Sequence, residues 1–513
     1  MAKNKRETII LTPPIKPIPK INCARVFGVR PNNPILFRIA TSGERPIEFT
    51  ITNLPVGMIL DKKKGILSGS LENAGNYQLT INAENKHGLD QREITIKVGD
   101  QICLTPPMGW NSWYVNSLWV SQEKVQSQVQ ALYELGLADH GWTYINIDDG
   151  WQGFRNPHTN ILEPNAKFPD MKYLCDYAHQ FGIKIGFYST PWLMSYAGYI
   201  GGSSPNETHD YSSFLVDTSD MTEQYQILGE KGRKRKKLRK FGNYMGDFDA
   251  KQWADWGIDY LKYDWRPNDI EQTTKMRDSL IKQERDIVFA LSNTAPYKLA
   301  PEWQKLANVW RTTTDIIDRW FVVKLIGSRQ RKWRHFGGPG NWNDPDMLMI
   351  GQTATPHTPH SAFRKTRLSP HEQYSQMSLW CLLSAPLLLS CDIPSLKNDP
   401  FTMSLLTNDE VLEINQDPLG IPAQRICRSN LKGNEIWIKN LYNGNFAIGI
   451  FNNRCYSQTI KVDFNTLNLS GQFKLRDLWR QMDLGIFENN FSSQIEAHGV
   501  ILLLLSSNKS GSL

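Results

Sequence analysis

The chain has 513 residues, 40% hydrophobic and 21% charged, an ordinary balance for a soluble globular protein of about two to four domains with ample material for a large core. The net charge of +7 is concentrated in one short run, and no stretch reaches the ~18 apolar residues of a membrane span, so neither a membrane-spanning protein nor a generally basic nucleic-acid binder is indicated. Seven cysteines, an odd number with no C-x-x-C pair, supply neither a disulfide framework nor a zinc site; no metal is expected, and the compartment stays open.

Residues 1–20 read as an N-terminal extension. Basic residues from Lys3 to Arg6 precede only Ile9 to Leu11 before Pro13 and Pro14, too short for the apolar region of a signal peptide. The expected location is periplasmic or secreted if an export signal precedes this chain, and cytoplasmic otherwise. Residues 21–100 alternate apolar and polar in runs such as 49–52, 77–82 and 93–98. Turn signals at Asn53, Lys62 to Gly65, Asn73 to Asn76 and Asn85 to Gly88 separate them, the spacing of an immunoglobulin-like β-sandwich.

Residues 101–422 hold eight short segments of strand character, at 108–113, 144–149, 183–188, 260–264, 287–292, 309–315, 341–346 and 386–391. Amphipathic stretches lie between them: Val125, Val129, Leu132 and Leu135 recur at helical spacing after the first, and Met171, Leu174, Cys175 and Ala178 before the third. Strands alternating with helices predict a parallel sheet. Polar residues on nearly every strand end, rather than at one switch point, favour a (β/α)8 TIM barrel. Residues 423–513 are β-rich again, a C-terminal antiparallel β-sandwich. Neither flank carries paired carboxylates.

Two of the barrel segments run into Asp264 and Asp315. Barrel strands bring such residues to one mouth, and retaining cleavage of a glycosidic bond needs two carboxyl groups ~5–5.5 Å apart, one ionised and one protonated. The plain alternative is that each Asp caps the next helix. Several of the 17 Trp fall at strand ends, where indoles suit sugar faces, although Trp in a core is the commoner explanation for each. Lys262 permits a second class, a Schiff-base lyase or aldolase. A non-catalytic glycan-binding protein is a third, against which the carboxylate pair speaks. An insertion at 203–244 carries eight basic residues in the ten positions 231–240, read either as a solvated loop or as a contact for an acidic or sulfated glycan.

The motifs Leu104-Thr-Pro-Pro-Met-Gly-Trp-Asn-Ser-Trp113, Ile147-Asp-Asp-Gly-Trp151, Asp259-Tyr-Leu-Lys-Tyr-Asp264, Trp310-Arg-Thr-Thr-Thr-Asp-Ile-Ile-Asp318, Asn341-Trp-Asn-Asp-Pro-Asp-Met-Leu348 and Ile414-Asn-Gln-Asp-Pro-Leu-Gly420 together resemble glycoside hydrolase family 27, the α-galactosidases and α-N-acetylgalactosaminidases. The resemblance runs from Leu104 to the C-terminus, and the N-terminal module resembles the immunoglobulin-like domains ahead of some bacterial members. It implies a cofactor-independent retaining exo-glycosidase acting on a carbohydrate, an α-galactoside. The family's nucleophile falls on Asp264 and its acid/base on Asp315. Asp148 and Asp149 match the carboxylates that hold the 4- and 6-hydroxyls, Trp113 the aromatic platform, and Tyr188, Lys262 and Arg311 further sugar-binding positions. Lys262 shares a strand face with Asp264, where its charge is expected to keep nearby carboxylates ionised. One departure concerns the 2-hydroxyl: Ser292 stands where animal-type members carry Glu, which bears on galactose versus N-acetylgalactosamine. Asp318 is the alternative acid/base, expected one helical turn beyond Asp315.

Overall fold

In the computed structural model, which describes residues 10–205, 239–354, 363–429 and 433–507, the middle of the chain forms eight strands. These are β1 Met108–Asn111, β2 Tyr144–Asn146, β3 Lys184–Ser189, β4 Tyr260–Asp264, β5 Val288–Ser292, β6 Val309–Arg311, β7 Trp342–Asp344 and β8 Leu387–Leu389. All neighbours are parallel, in the order β7-β6-β5-β4-β3-β2-β1-β8. The outer strands meet through Leu348, just past β7, whose N–H donates to Leu388 O at 2.8 Å and which bridges Leu389 in parallel. The curled sheet thereby becomes the expected barrel.

The strands are buried on both faces, which is why they read as continuous apolar runs. Their close approach has a local requirement at Gly109, where a Cβ would lie 2.1 Å from Tyr144 O. Between strands, helix Gln122–Glu134 starts at Ser121, whose hydroxyl accepts from Lys124 N–H, and buries Val125, Val129 and Leu132. Helix Met171–His179 starts at Asp170 in the same way and buries Met171, Leu174, Cys175 and Ala178. Each fully buried large apolar side chain contributes roughly 1.5–3 kcal/mol.

The strands are shorter than expected. β2 ends at Asn146 and β6 at Arg311, so Asp148, Asp149 and Asp315 lie in the loops beyond. Side chains capture the backbone there: Asp149 N–H bonds to Asp148 Oδ1 at 2.9 Å and Asp346 N–H to Asp344 Oδ1 at 2.7 Å, which takes those amides out of the ladder. Tryptophan use also resolves mainly into packing, because twelve of the 17 are fully buried.

The N-terminal module has a four-stranded sheet (Val26–Val29, Gly88–Val98, Gly75–Asn85, Glu48–Thr52) and a three-stranded one (Ile35–Arg38, Ile66–Gly69, Met58–Asp61), packed through Phe49, Leu67, Leu79, Ile81, Ile94 and Ile96. Arg30 pairs with Asp286 at 2.6 Å and Arg38 with Asp139 at 2.7 Å. Those two acids precede β5 and β2, so the module sits on the end of the barrel opposite the mouth. The C-terminal region forms a six-stranded antiparallel sheet and a two-stranded pair around their own apolar core. Buried Lys439 joins it to the barrel, donating to Ser384 Oγ at 2.6 Å.

The basic run lies mostly outside the described residues, which resume at Arg239. The insertion's stem is described: Ser203–Ser204 pairs with Asn243–Tyr244, and Leu193 N–H donates to Lys240 O at 2.9 Å. Among the described residues no helix is long and apolar enough to cross a membrane.

Candidate active site

The C-terminal strand ends assemble a buried cluster of charge. After β2 the backbone turns at Gly150, whose φ of 118° favours glycine, and this presents Asp148 and Asp149 side by side. Asp148 Oδ2 accepts from Lys262 Nζ at 2.7 Å and from Asn111 Nδ2 at 2.9 Å. Asp149 accepts from Ala197 N–H at 2.9 Å and Gln152 Nε2 at 3.2 Å, and burial pushes its carboxyl up to about 7. Trp113 is half-buried and opens a short helix, Trp113–Asn116. Its N–H donates at 2.9 Å to Oδ1 of the same Asn111 that holds Asp148.

Asp264, buried at the tip of β4, has its carboxyl pushed up to about 6. Burial is the main cause; Lys262 pulls the other way, and the charges of Asp148 and Asp315 add to the rise. The expectation that Lys262 keeps its neighbours ionised is therefore half met, since its direction is right but desolvation outweighs it. Burial by itself would lower the Lys262 pKa, yet Asp148 and Asp264 raise it. A lysine held as an ammonium is not the free amine that Schiff-base chemistry needs.

Across the register from Asp264 lies buried Ser292, and the two following residues, Asn293 and Thr294, adopt φ of 64° and 74°. For a β-branched residue that conformation is an outlier costing of order 1–3 kcal/mol. The turn aims Asn293 Nδ2 at Asp264 Oδ1, to which it donates a hydrogen bond.

Arg311 closes β6. Its buried guanidinium reaches Asp346 Oδ2 at 2.8 Å and Asp315 Oδ1 at 3.1 Å, so one cation ties a buried carboxylate to an exposed one. Asp346 stands at φ 81° and also accepts from Ile316 N–H at 2.7 Å, which shapes the loop that carries Asp315. Burial likewise pushes Asp344 up to about 6. Tyr188, buried on β3, faces the ammonium of Lys262 at 5.6 Å from its ring. Burial and then the charges of Asp264, Asp149 and Asp148 raise its hydroxyl's pKa.

Of the residues nominated from sequence, Asp148, Asp149, Tyr188, Lys262, Asp264 and Ser292 share one buried neighbourhood, and Arg311 links it to Asp315. Asp318 does not join them. The segment from Asp315 to Asp318 is not helical, and Asp318 is held by Arg364 at 2.6 Å and Arg367 N–H at 2.9 Å. Burial raises its carboxyl, but those donors outweigh it and leave it low. None of Asn111, Asn293, Asp344 and Asp346 was nominated from the sequence as a site residue. Three of these lie inside quoted motifs, and position within a motif was the available signal; nothing local marks Asn293.

The alpha galactosidase A family model matches residues 105–226 and 225–417, the alpha galactosidase C-terminal beta sandwich model residues 432–505, and an Ig-domain model residues 20–99. An α-galactosidase of Oryza sativa subsp. japonica is 30% identical over 413 residues, covering 79% of this chain and 85% of its own. A solved Bacteroides fragilis structure, provisionally an α-galactosidase, superimposes with a TM-score of 0.81 at 29% identity over 96% of this chain and 98% of that one. A family 27 β-L-arabinopyranosidase from Geobacillus stearothermophilus gives 0.66 at 26% identity, over 80% and 98%.

Proposed function

The chain belongs to the alpha galactosidase A family, glycoside hydrolase family 27, and from that premise we propose that it removes terminal α-linked galactose from oligo- or polysaccharides by a retaining double displacement. The observation that carries the reading is the asymmetry of two carboxylates at one barrel mouth, Asp264 buried at a strand tip and Asp315 exposed on Arg311.

Asp264 attacks the anomeric carbon and forms a β-galactosyl ester as the glycosidic bond breaks, and Asp315 gives its proton to the departing oxygen. Water then enters. Asp315 takes a proton from it, the hydroxyl adds to the same carbon, the ester bond breaks, and α-galactose leaves with Asp264 ionised again. Arg311 steadies Asp315 in both steps. Asp148 and Asp149 accept hydrogen bonds from the 4- and 6-hydroxyls, Lys262 and Tyr188 line the same side, and Trp113 offers a face to the ring. Ser292 lies toward the 2-hydroxyl. Carboxylates and water suffice for each step.

Asp315 is tested through the leaving group. Nitrophenolate departs without a proton, whereas a sugar alkoxide does not, so Asp315→Ala should lower kcat/KM, which reports the first displacement, by about 10²–10⁴-fold on α-galactosyl disaccharides and by about tenfold or less on 4-nitrophenyl α-galactoside. Equal losses on both substrates would remove the acid/base role from Asp315.

The pH profile tests Asp264. A protonated carboxyl is a poor nucleophile, and the Asp264 carboxyl sits at about 6. The value of kcat/KM should therefore fall by about tenfold per unit below that pH, and fall again at higher pH, where Asp315 loses the proton it must donate. Because Lys262 pulls the Asp264 pKa down, Lys262→Met should move this acid limb to higher pH. A limb that stays put in the variant would separate Lys262 from Asp264.

A further inference from the structure

Between β3 and β4 the chain raises a wall beside the site. Ala197 is bound to Asp149, so its neighbour Tyr196 stands at the rim of the same pocket, with its ring edge-on to Trp192 at 5.2 Å. Arg239 lies over that ring, its guanidinium 4.6 Å from the centroid, and Nη2 donates to Tyr196 O at 3.1 Å. These two contacts fix the guanidinium in advance of any ligand. Its buried Nε has no hydrogen-bond partner. Arg266, exposed, follows Asp264 by two residues. The Tyr196 hydroxyl feels all of these charges: burial and Asp264 raise its pKa, Arg239 and Arg266 lower it, and Asp315 raises it again.

Other arginines of the barrel have acidic partners, as in Arg155–Asp249, Arg285–Asp259 and Arg364–Asp318. Among the described residues, no ion pair engages Arg239 or Arg266, although the acids of the site stand within electrostatic reach. Asp315 marks the open side of the pocket, its side chain 63% exposed, and a leaving group must depart past it.

Building on the galactosidase reading, we propose that Tyr196, Arg239 and Arg266 form the leaving-group subsite and that it takes an anionic sugar, one bearing a carboxylate or a sulfate ester, next to the terminal galactose. The guanidinium fork matches either anion, the tyrosine ring offers a face for the sugar, and the two cations offset the repulsion such a ligand meets from the carboxylate cluster.

The test compares kcat/KM for galactose α-linked to galacturonic acid, to 6-sulfated galactose and to neutral galactose through one linkage, with 4-nitrophenyl α-galactoside as reference. The wild type should favour at least one anionic disaccharide over the neutral one by about tenfold, and the two anionic arms identify which group is read. In Arg239→Gln/Arg266→Gln that ratio should fall to about one, and in Arg266→Glu, a change at an exposed position, to below the wild-type ratio. A wild-type ratio of one or less, or a ratio unchanged in both variants, overturns the subsite. An enzyme inert toward the nitrophenyl galactoside and all three disaccharides would refute the galactosidase reading instead.

Discussion

Asp264→Ala should lower turnover on every α-galactoside by about 10⁴-fold or more, because a nucleophile acts in the transition state and nothing else in the cluster is placed to form the ester. Lys262 is bound to Asp148, Arg311 to Asp346 and Asp315, and Asp149 to Ala197 and Gln152. Sugar affinity should change little, since Asp148 and Asp149 remain to accept the hydroxyls. The substitution leaves a space at the tip of β4, beside the Asn293 amide that formerly donated to Asp264. Azide is small enough to occupy it, and should restore part of the rate with β-galactosyl azide as product. Retention of more than about a tenth of wild-type turnover would exclude Asp264 as nucleophile.

Discrimination between α-galactosides and α-glucosides should reach ~10⁴-fold in kcat/KM. The two sugars differ only in whether the 4-hydroxyl is axial or equatorial, and Asp148 and Asp149 are both buried beside one turn. Such acceptors have little access to water, so an epimer that directs its hydroxyl elsewhere leaves a buried carboxylate one donor short. Burial already pushes Asp149 up to about 7, because its surroundings solvate the charge poorly. A paired assay on the two nitrophenyl glycosides measures the ratio, and a value near one would mean that these acids do not read the 4-hydroxyl. The same comparison with the N-acetylgalactosaminide examines the space beside Ser292, where we expect galactose to be preferred.

The barrel was legible because its strands are buried on both faces and its helices on one, two patterns that apolar spacing records directly. Strand ends were less legible. Whether Asp315 closes β6 or lies in the loop after it depends on Arg311 and Asp346, and the second of these comes from β7's loop, 31 positions further along the chain. Asn293 was not nominated as a partner of Asp264 for a related reason. Its role depends on a left-handed turn of two non-glycine residues, which no local composition encodes. Electrostatics were legible in sign and not in balance: the Lys262 effect on Asp264 was visible from strand periodicity, but the larger opposing effect, desolvation, belongs to the assembled mouth.

The central claim, two displacements at one carbon through Asp264, is tested most directly by following the first-formed sugar with proton NMR before mutarotation. Release of α-galactose from an α-galactoside is the predicted result, because two inversions restore the starting configuration. Initial β-galactose would contradict the account, for it would require a single displacement by water and a carboxylate pair spaced to admit it.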